Sequence, residues 1–188
     1  KHFIHSTGHG IGLAEDLVTS IRIHSEGWKS VFNPVVVSRG LVPEDFGSFC
    51  KQQLKWARGV HEVLFSELPR LFFKLSFWQK ISYAMIGTYY LVGAVTFFYF
   101  IIPYIFFWTG LLPAQMHFVD FVIEVLPIGI IAVAIYLYAQ RWLSHPATER
   151  GLHWRGMILK FACWPVYFLG FLLSVINKPI PYIPTAKK

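Results

Sequence analysis

A long uncharged stretch in the middle of the chain limits what this sequence can fold into. Residues 81–119 contain no Asp, Glu, Lys or Arg, and residues 81–140 contain no Lys or Arg. Because a helix needs about 20 apolar residues to cross a bilayer, the stretch predicts two transmembrane spans, at 81–102 and 118–140. The charged fraction of the whole chain, 14%, lies below the roughly 25% of a soluble domain, which also favours a membrane protein.

The basic residues flank the uncharged stretch on both sides. The chain has 17 Lys and Arg and a net charge of +7, yet a nucleic-acid-binding protein seldom leaves so wide a gap in its basic surface. Cytoplasmic segments next to membrane spans carry an excess of Lys and Arg. The pattern therefore argues against a nucleic-acid partner and predicts a cytoplasmic basic loop at 141–160. We expect Cys50 and Cys163, on that same side, to be free thiols.

A third apolar segment, residues 161–177, leaves two topologies open. It is short and contains Pro165. If it crosses the membrane, the tail at 178–188, with Lys178, Lys187 and Lys188, lies outside, against the usual preference of basic residues for the cytoplasm. If it is interfacial or re-entrant, all 17 basic residues stay on one side. The charge pattern favours the second topology.

The N-terminal region, residues 1–42, has the pattern of soluble α/β material. Residues 15–26 predict a helix that Gly27 ends. The β-forming run at 30–38 predicts a strand, which Pro34 restricts to an edge or broken one. One helix and one strand cannot bury a core, so we expect the partner strands to precede Lys1.

Residues 43–75 predict an amphipathic helix that lies along the membrane surface and carries a cluster of polar residues. Phe49, Gln53, Trp56, Val60 and Leu64 recur at three- and four-residue steps, a spacing typical of one helix face. Pro69 is expected to end the helix.

Two motifs carry the candidate chemistry. Ala14-Glu15-Asp16 stands at the start of the first helix, where a carboxylate can act as a general base or simply cap the helix. Gln52-Gln53-Leu54-Lys55-Trp56 lies on the amphipathic helix. Its Trp56 offers a flat face for stacking a sugar ring, but an indole there is also typical of an interfacial aromatic residue.

These motifs, together with Tyr182–Lys187 in the tail, resemble the TED, QxxRW and FxVTxK motifs of processive family 2 glycosyltransferases of the cellulose synthase type. The resemblance runs from about Gly8 to Lys187. It implies an α-helical membrane protein region attached to the C-terminal remnant of a GT-A (α/β) glycosyltransferase domain. It also implies inverting transfer from a nucleotide sugar, expected to be UDP-linked, to a growing β-linked glycan with coupled translocation. The catalytic part and the tail would be cytoplasmic, at the plasma (inner) membrane.

The resemblance assigns a role to each motif residue. Asp16 would be the general base and Glu15 its motif neighbour, Trp56 and Gln52 would bind the acceptor, and Lys55 would contact the diphosphate. The gating-loop residues would be Tyr182, Thr185 and Lys187. The sequence departs from the usual pattern at four positions. Lysine replaces arginine at 55, which keeps the charge but loses the two-pronged guanidinium geometry; the others are Ala14 for Thr, Tyr182 for Phe and Pro184 for Val.

The family's nucleotide-binding aspartates, including its DxD motif, are missing from this sequence. The resemblance implies Mg²⁺ or Mn²⁺ held by ligands upstream, with no metal ligand in this chain. We expect a fragment that lacks the nucleotide-binding half and is inactive in isolation. The expected partners are a nucleotide sugar, the growing glycan and membrane lipid; accessory synthase subunits cannot be read from the sequence. The alternatives are a nonprocessive enzyme with a lipid acceptor and a noncatalytic membrane assembly module.

Overall fold

The computed structural model describes residues 14–33, 35, 38, 40–111, 117–143 and 151–178, which form helices and their connections. The chain divides into two compact units, residues 1–98 with 163–188, and residues 99–162. The helices are α1 (Glu15–Ser25), α2 (Phe46–Glu62), α3 (Leu68–Leu71), α4 (Phe77–Thr109), α5 (Phe118–Leu143), α6 (Trp154–Ala162) and α7 (Trp164–Val175), with a π-helical turn at Val63–Glu67 and a 3-10 turn at Phe72–Lys74.

The described part of the chain holds two helices long and apolar enough to cross a membrane, α4 and α5. They confirm helices at the two predicted spans, and α4 is longer than predicted at both ends, since it begins at Phe77 and continues through Pro103 to Thr109. The predicted third segment is divided differently. The helix before Cys163 already begins at Trp154, within the predicted basic loop. Together, α6 and α7 are long and apolar enough to form one broken span or a re-entrant loop.

Helix α1 ends where the sequence predicts. Gly27 has a positive φ of 89°, the left-handed conformation that glycine adopts without strain. The amide of Gly27 donates to the His24 carbonyl at 3.1 Å and that of Trp28 to the Ile23 carbonyl at 3.4 Å. These two bonds form a Schellman motif, which satisfies the carbonyls that the helix end leaves free.

The predicted strand at 30–38 is wrong for those of its residues that the structure describes. Residues 30–33, 35 and 38 are irregular, and Val31 and Phe32 are exposed. A strand needs a neighbouring strand to accept and donate its backbone hydrogen bonds, and the described residues include no such partner. The GT-A remnant therefore stays a prediction.

The prediction that Pro69 ends the amphipathic helix is also wrong. The chain passes from α2 through the π-helical turn into α3, and Pro69 is one of the first two residues of α3. In a first helical turn the missing N–H of proline removes no hydrogen bond. The turn at 63–67 therefore accommodates Pro69, and the helical path continues to Lys74.

The first unit is built around this helical path. Val18 and Ile21 of α1 pack against Val63, Leu68 and Leu71 in one apolar cluster, which also includes Leu75 and Tyr83. A second cluster joins α2, α4 and α7 through Ala57, Tyr90 and Tyr167, and it also includes the buried Cys163. Cys50 and Cys163 are free thiols, as predicted.

The second unit contains the end of α4, with α5 and α6. The Tyr136 hydroxyl donates a hydrogen bond to the Leu152 carbonyl, which ties α5 to the segment before α6. None of the side chains described on α5 is buried. A helix that is apolar all round and unburied in a water-soluble protein would be unstable, so this exposure fits a helix surrounded by lipid.

Candidate functional site

Asp16 lies in the first turn of α1, and its side chain is exposed, as is that of Glu15. One carboxylate oxygen of Asp16 accepts a hydrogen bond from the Leu17 amide at 2.8 Å. The residue at the N-cap position, Ala14, has no side chain that could cap the helix. The first-turn acids therefore supply the negative charge that complements the helix dipole, and Asp16 keeps an oxygen accessible to solvent.

Two polar contacts hold α1 in place. Arg22 pairs with Glu67 of the π-helical turn at 3.0 Å, and the pair is largely buried. His24 contacts the Tyr83 hydroxyl of α4 at 2.7 Å through Nδ1 and the Ser30 hydroxyl at 3.0 Å through Nε2. These contacts fix the helix that carries Asp16 to both the end of the α2 path and the beginning of α4. Neither Arg22 nor His24 could be assigned this anchoring role from the sequence alone, since their partners lie on other helices or in a loop.

Helix α2 begins with a defined cap. The side chain of Asp45 accepts a hydrogen bond from the Ser48 amide at 2.8 Å, and hydrogen bonds from Ser48 hold the pKa of this carboxyl below its usual range. Aspartate is among the preferred N-cap residues because it satisfies an amide that the first turn leaves free. The cap sets where the helix that carries the second motif starts.

The second motif presents one exposed face of α2. Trp56 is 46% exposed, and Gln52 lies one turn earlier, at i−4, on the same face. Lys55 is half-buried. Next to this face, Ala57 and Arg58 are buried against α7. The structure therefore places the predicted acceptor residues side by side, with the indole of Trp56 open to solvent.

The two motifs lie on different helices of the first unit. Among the described residues, no hydrogen bond, ion pair or ring contact joins Asp16 to Trp56. The gating-loop residues Tyr182, Thr185 and Lys187 fall outside the described part of the chain. The roles assigned to the motif residues therefore stay predictions.

Two buried polar side chains on α2 were missed from the sequence. Arg58 is only 4% exposed, and its guanidinium contacts Glu62 at 3.1 Å and the Lys178 carbonyl at 3.4 Å. His61 is fully buried, with the rings of Phe65 and Phe171 at 5.8 and 5.6 Å. An arginine three residues before a histidine is ordinary on a solvated helix face, so no sequence signal marked either residue as buried.

Burial changes the protonation of His61. Neither of its ring nitrogens has a hydrogen-bond partner in the described structure. The pKa of His61 is lowered to about 4, mainly because the charged ring loses its hydration on burial and to a smaller extent because the Arg58 cation is close. The Ala57 carbonyl opposes this lowering only in part. His61 is therefore neutral at physiological pH and packs as an aromatic ring.

The described residues do not fit a metal site. They contain no group of three His, Cys, Asp or Glu side chains placed to hold a metal ion. No step at this site can therefore be derived through a metal held by these residues.

Comparison with known proteins identifies the family. The family model for cellulose synthase matches residues 7–155, a range that includes both motifs, α4 and α5. The chain belongs to the cellulose synthase family. The gating-loop-like tail lies beyond the matched range, so the family match adds nothing to that prediction.

The curated proteins similar to this chain include plant cellulose synthase-like proteins. The chain is 28% identical over 172 residues to cellulose synthase-like protein D5 of Arabidopsis thaliana, a match that covers 87% of the chain and 14% of the relative. It is 30% identical over 134 residues to cellulose synthase-like protein D1 of Oryza sativa subsp. japonica, covering 69% of the chain and 12% of the relative. The chain therefore spans a seventh or less of the length of these relatives. No solved structure matches it.

Proposed function

We propose that this chain forms the acceptor side of a membrane-bound, inverting family 2 glycosyltransferase that elongates a β-linked polysaccharide from a nucleotide sugar, expected to be UDP-linked. The main support is that one cellulose synthase family match takes in Asp16, Trp56 and both long apolar helices. On α2, Trp56 is exposed and the half-buried Gln52 lies one turn away, which adds to this support.

In this proposal Asp16 is the general base. Its solvent-accessible carboxylate takes the proton from the acceptor hydroxyl while that oxygen attacks the anomeric carbon of the nucleotide sugar. The bond from the anomeric carbon to the diphosphate breaks, the nucleoside diphosphate leaves, and the configuration inverts. Glu15, also exposed, contributes negative charge beside the base and takes no proton in this scheme.

Trp56, Gln52 and Lys55 would serve the other reactants. The indole of Trp56 can stack on the apolar face of a sugar ring, while the Gln52 amide, one turn away, hydrogen-bonds to sugar hydroxyls. Lys55 would offer a single positive charge to the leaving diphosphate. Lysine binds phosphate as a point charge, without the fork geometry of arginine.

We place the parent enzyme in the plasma (inner) membrane with α1, α2 and the tail on the cytoplasmic side, because the basic residues flank the apolar helices. α2 lies on the membrane surface, and α7 packs beside it as an interfacial or re-entrant helix. The glycan would leave along a path made partly by α4 and α5. The nucleotide and its Mg²⁺ or Mn²⁺ would be bound by residues outside this sequence, so the isolated chain is expected to be inactive.

Sugar transfer by the protein expressed at its full length in membranes tests this function. Radiolabelled UDP-sugars are supplied, and label is counted separately in ethanol-insoluble polymer and in the lipid extract. We expect polymer, with yield and chain length reduced several-fold to about tenfold by Trp56→Ala through loss of ring stacking. Phe46→Ala, which removes another exposed aromatic ring of α2, is the matched control and should leave both near wild type.

Three results would contradict the proposal. Label only in the lipid extract would indicate the nonprocessive alternative, in which the acceptor is a lipid. The absence of label from both fractions with every UDP-sugar would favour a noncatalytic assembly role. Equal effects of Trp56→Ala and Phe46→Ala would remove Trp56 from the acceptor site.

A further inference from the structure

Helices α2 and α7 pack in parallel, in a defined register. The Tyr167 hydroxyl donates to the Gln53 side chain at 3.4 Å, Gly170 lies against Ala57, and the Ser174 hydroxyl donates to the Arg58 carbonyl at 3.2 Å. Residue numbers rise together on both helices, so the helices run in the same direction. A Cβ atom on Gly170 would lie 2.8 Å from the Ala57 Cβ, so the close approach depends on glycine.

The C-terminal end of α7 has a fixed backbone geometry. Asn177 has a positive φ of 52°, and its amide donates to the Ser174 carbonyl at 3.1 Å. The Lys178 amide donates to the Leu173 carbonyl at 2.9 Å. These bonds form a Schellman motif with asparagine in the left-handed position, and they hold Lys178 at a definite place beside α2.

Arg58 joins this end of α7 to α2. Its Nε donates to the Lys178 carbonyl at 3.4 Å and its Nη1 to Glu62 at 3.1 Å. A buried guanidinium is costly unless it is paired and hydrogen-bonded. The carboxylate of Glu62 and the negative end of the α7 dipole both compensate for its charge, so Arg58 is held in one orientation.

The orientation of Arg58 determines where Trp56 points. Two residues along an α-helix correspond to a rotation of about 200°, so a buried residue 58 turns residue 56 towards the opposite side. Trp56 is accordingly 46% exposed while Arg58 is 4% exposed. Gln52 is half-buried and lies one turn from Trp56 on the same side of the helix, so a rotation of α2 would displace both.

We propose that Arg58 is a positioning residue, which fixes the rotation of α2 against the end of α7 and so holds Gln52 and Trp56 towards the acceptor. This inference rests on the proposed function for its effect on transfer. The anchoring contact itself does not depend on that function and can be measured without it.

The test compares Arg58→Ala, Arg58→Lys and the matched control Arg70→Ala in the full-length protein in lipid nanodiscs. Arg70 also pairs with a glutamate of the same helical path, Glu67, but its side chain is 56% exposed. Hydrogen–deuterium exchange of the peptide covering 171–178 measures how firmly Arg58 holds the end of α7. In Arg58→Ala we expect exchange at 177 and 178 to accelerate roughly 10- to 100-fold, because a buried charged contact is lost. Arg58→Lys should recover part of this protection, and Arg70→Ala should show none of the effect.

Steady-state kinetics, with UDP-sugar as donor and cellotetraose as acceptor, measures whether Gln52 and Trp56 are still positioned to bind the acceptor. Arg58→Ala should raise the KM for cellotetraose about tenfold and leave the KM for the UDP-sugar near wild type, with Arg58→Lys intermediate. If Arg58→Ala does not accumulate, Glu62→Gln, which removes one partner and leaves the Lys178 contact, takes its place.

Unchanged exchange at 177 and 178 in Arg58→Ala would contradict the claim that Arg58 anchors α2 to the end of α7. Accelerated exchange accompanied by equal changes in both KM values, or by a loss of kcat alone, would overturn the positioning role. If the wild-type protein transfers no sugar, the proposed function fails, and the exchange result alone decides whether Arg58 anchors α2 to α7.

Discussion

Gly93 of α4 lies where α7 crosses, and replacing it with alanine should disrupt that crossing. A Cβ atom at this position would lie 2.4 Å from the Phe168 amide nitrogen, 2.6 Å from the Tyr167 Cβ and 2.7 Å from the Tyr167 carbonyl carbon. Two of these three atoms belong to the backbone, so no side-chain rotation relieves the overlap. The two helices must move apart, which would also separate the rings of Phe97 and Phe168, stacked at 3.9 Å.

The expected loss of stability follows from two opposing effects. Overpacking of a well-packed contact costs about 1–3 kcal/mol, and replacing glycine with alanine inside a helix returns about 0.5–1 kcal/mol. At the midpoints of these two ranges, the net loss is about 1.3 kcal/mol. For a chain of 188 residues, each kcal/mol shifts Tm by about 2–4 °C, so Gly93→Ala should lower Tm by about 3–5 °C.

Thermal unfolding followed by tryptophan fluorescence in detergent measures this shift, with two matched glycines as controls. A Cβ on Gly129 of α5 would meet nothing within 4 Å, so Gly129→Ala should leave Tm unchanged or raise it. A Cβ on Gly87 would meet the methyl groups of Leu64 at 2.7 and 2.9 Å, and because that side chain can move, Gly87→Ala should be intermediate. A Tm for Gly93→Ala equal to or above that for Gly129→Ala would refute the packing of α4 on α7.

Two further predictions concern residues that hold the first unit together. The pKa of His61 is about 4, against 6.5 for the unfolded chain, so the unfolded state binds more protons between these pH values. The contribution of His61 to the free energy of unfolding is therefore fully present above about pH 6.5. It is lost as the pH falls towards 4, by at most about 3 kcal/mol. His61→Leu should flatten the stability–pH curve in this window, and an unchanged slope would contradict the assignment. Arg22→Ala should lower the free energy of unfolding by about 1–3 kcal/mol, because Glu67 is largely buried and loses a charged partner. Chemical denaturation compares it with Arg70→Ala, whose exposed pair should cost less than about 1 kcal/mol; equal losses would argue against Arg22 as the anchor of α1.

The sequence predicts features that depend on local chemistry. The absence of charge over residues 81–119 identifies both long apolar helices, and Gly27 ends α1 through a backbone conformation that few residues other than glycine adopt readily. The three- and four-residue spacing identifies the amphipathic helix α2, but it groups Trp56 with Gln53 on one face, whereas Trp56 is 46% exposed and Gln53 is buried.

Features that depend on tertiary contacts could not be predicted in this way. Pro69 ends a helix by local rules, yet the π-helical turn before it places this proline where no hydrogen bond is lost. Gly93 and Gly170 look like ordinary glycines of apolar segments until α7 is placed against α4 and α2. Arg58 and His61 look like solvated helix residues for the same reason, because their burial comes from a partner more than a hundred residues away along the chain.

The most direct test of the central claim compares two exposed aspartates at helix starts. Asp16 lies in the first turn of α1 and Asp45 is the N-cap of α2, and asparagine caps a helix about as well as aspartate. The initial rate of radiolabelled sugar transfer by the full-length protein should fall about 10²- to 10⁴-fold in Asp16→Asn, since the general base is lost. In Asp45→Asn it should stay within about twofold of wild type, because the cap is kept. Equal rates for the two variants would contradict the assignment of Asp16 as the catalytic base.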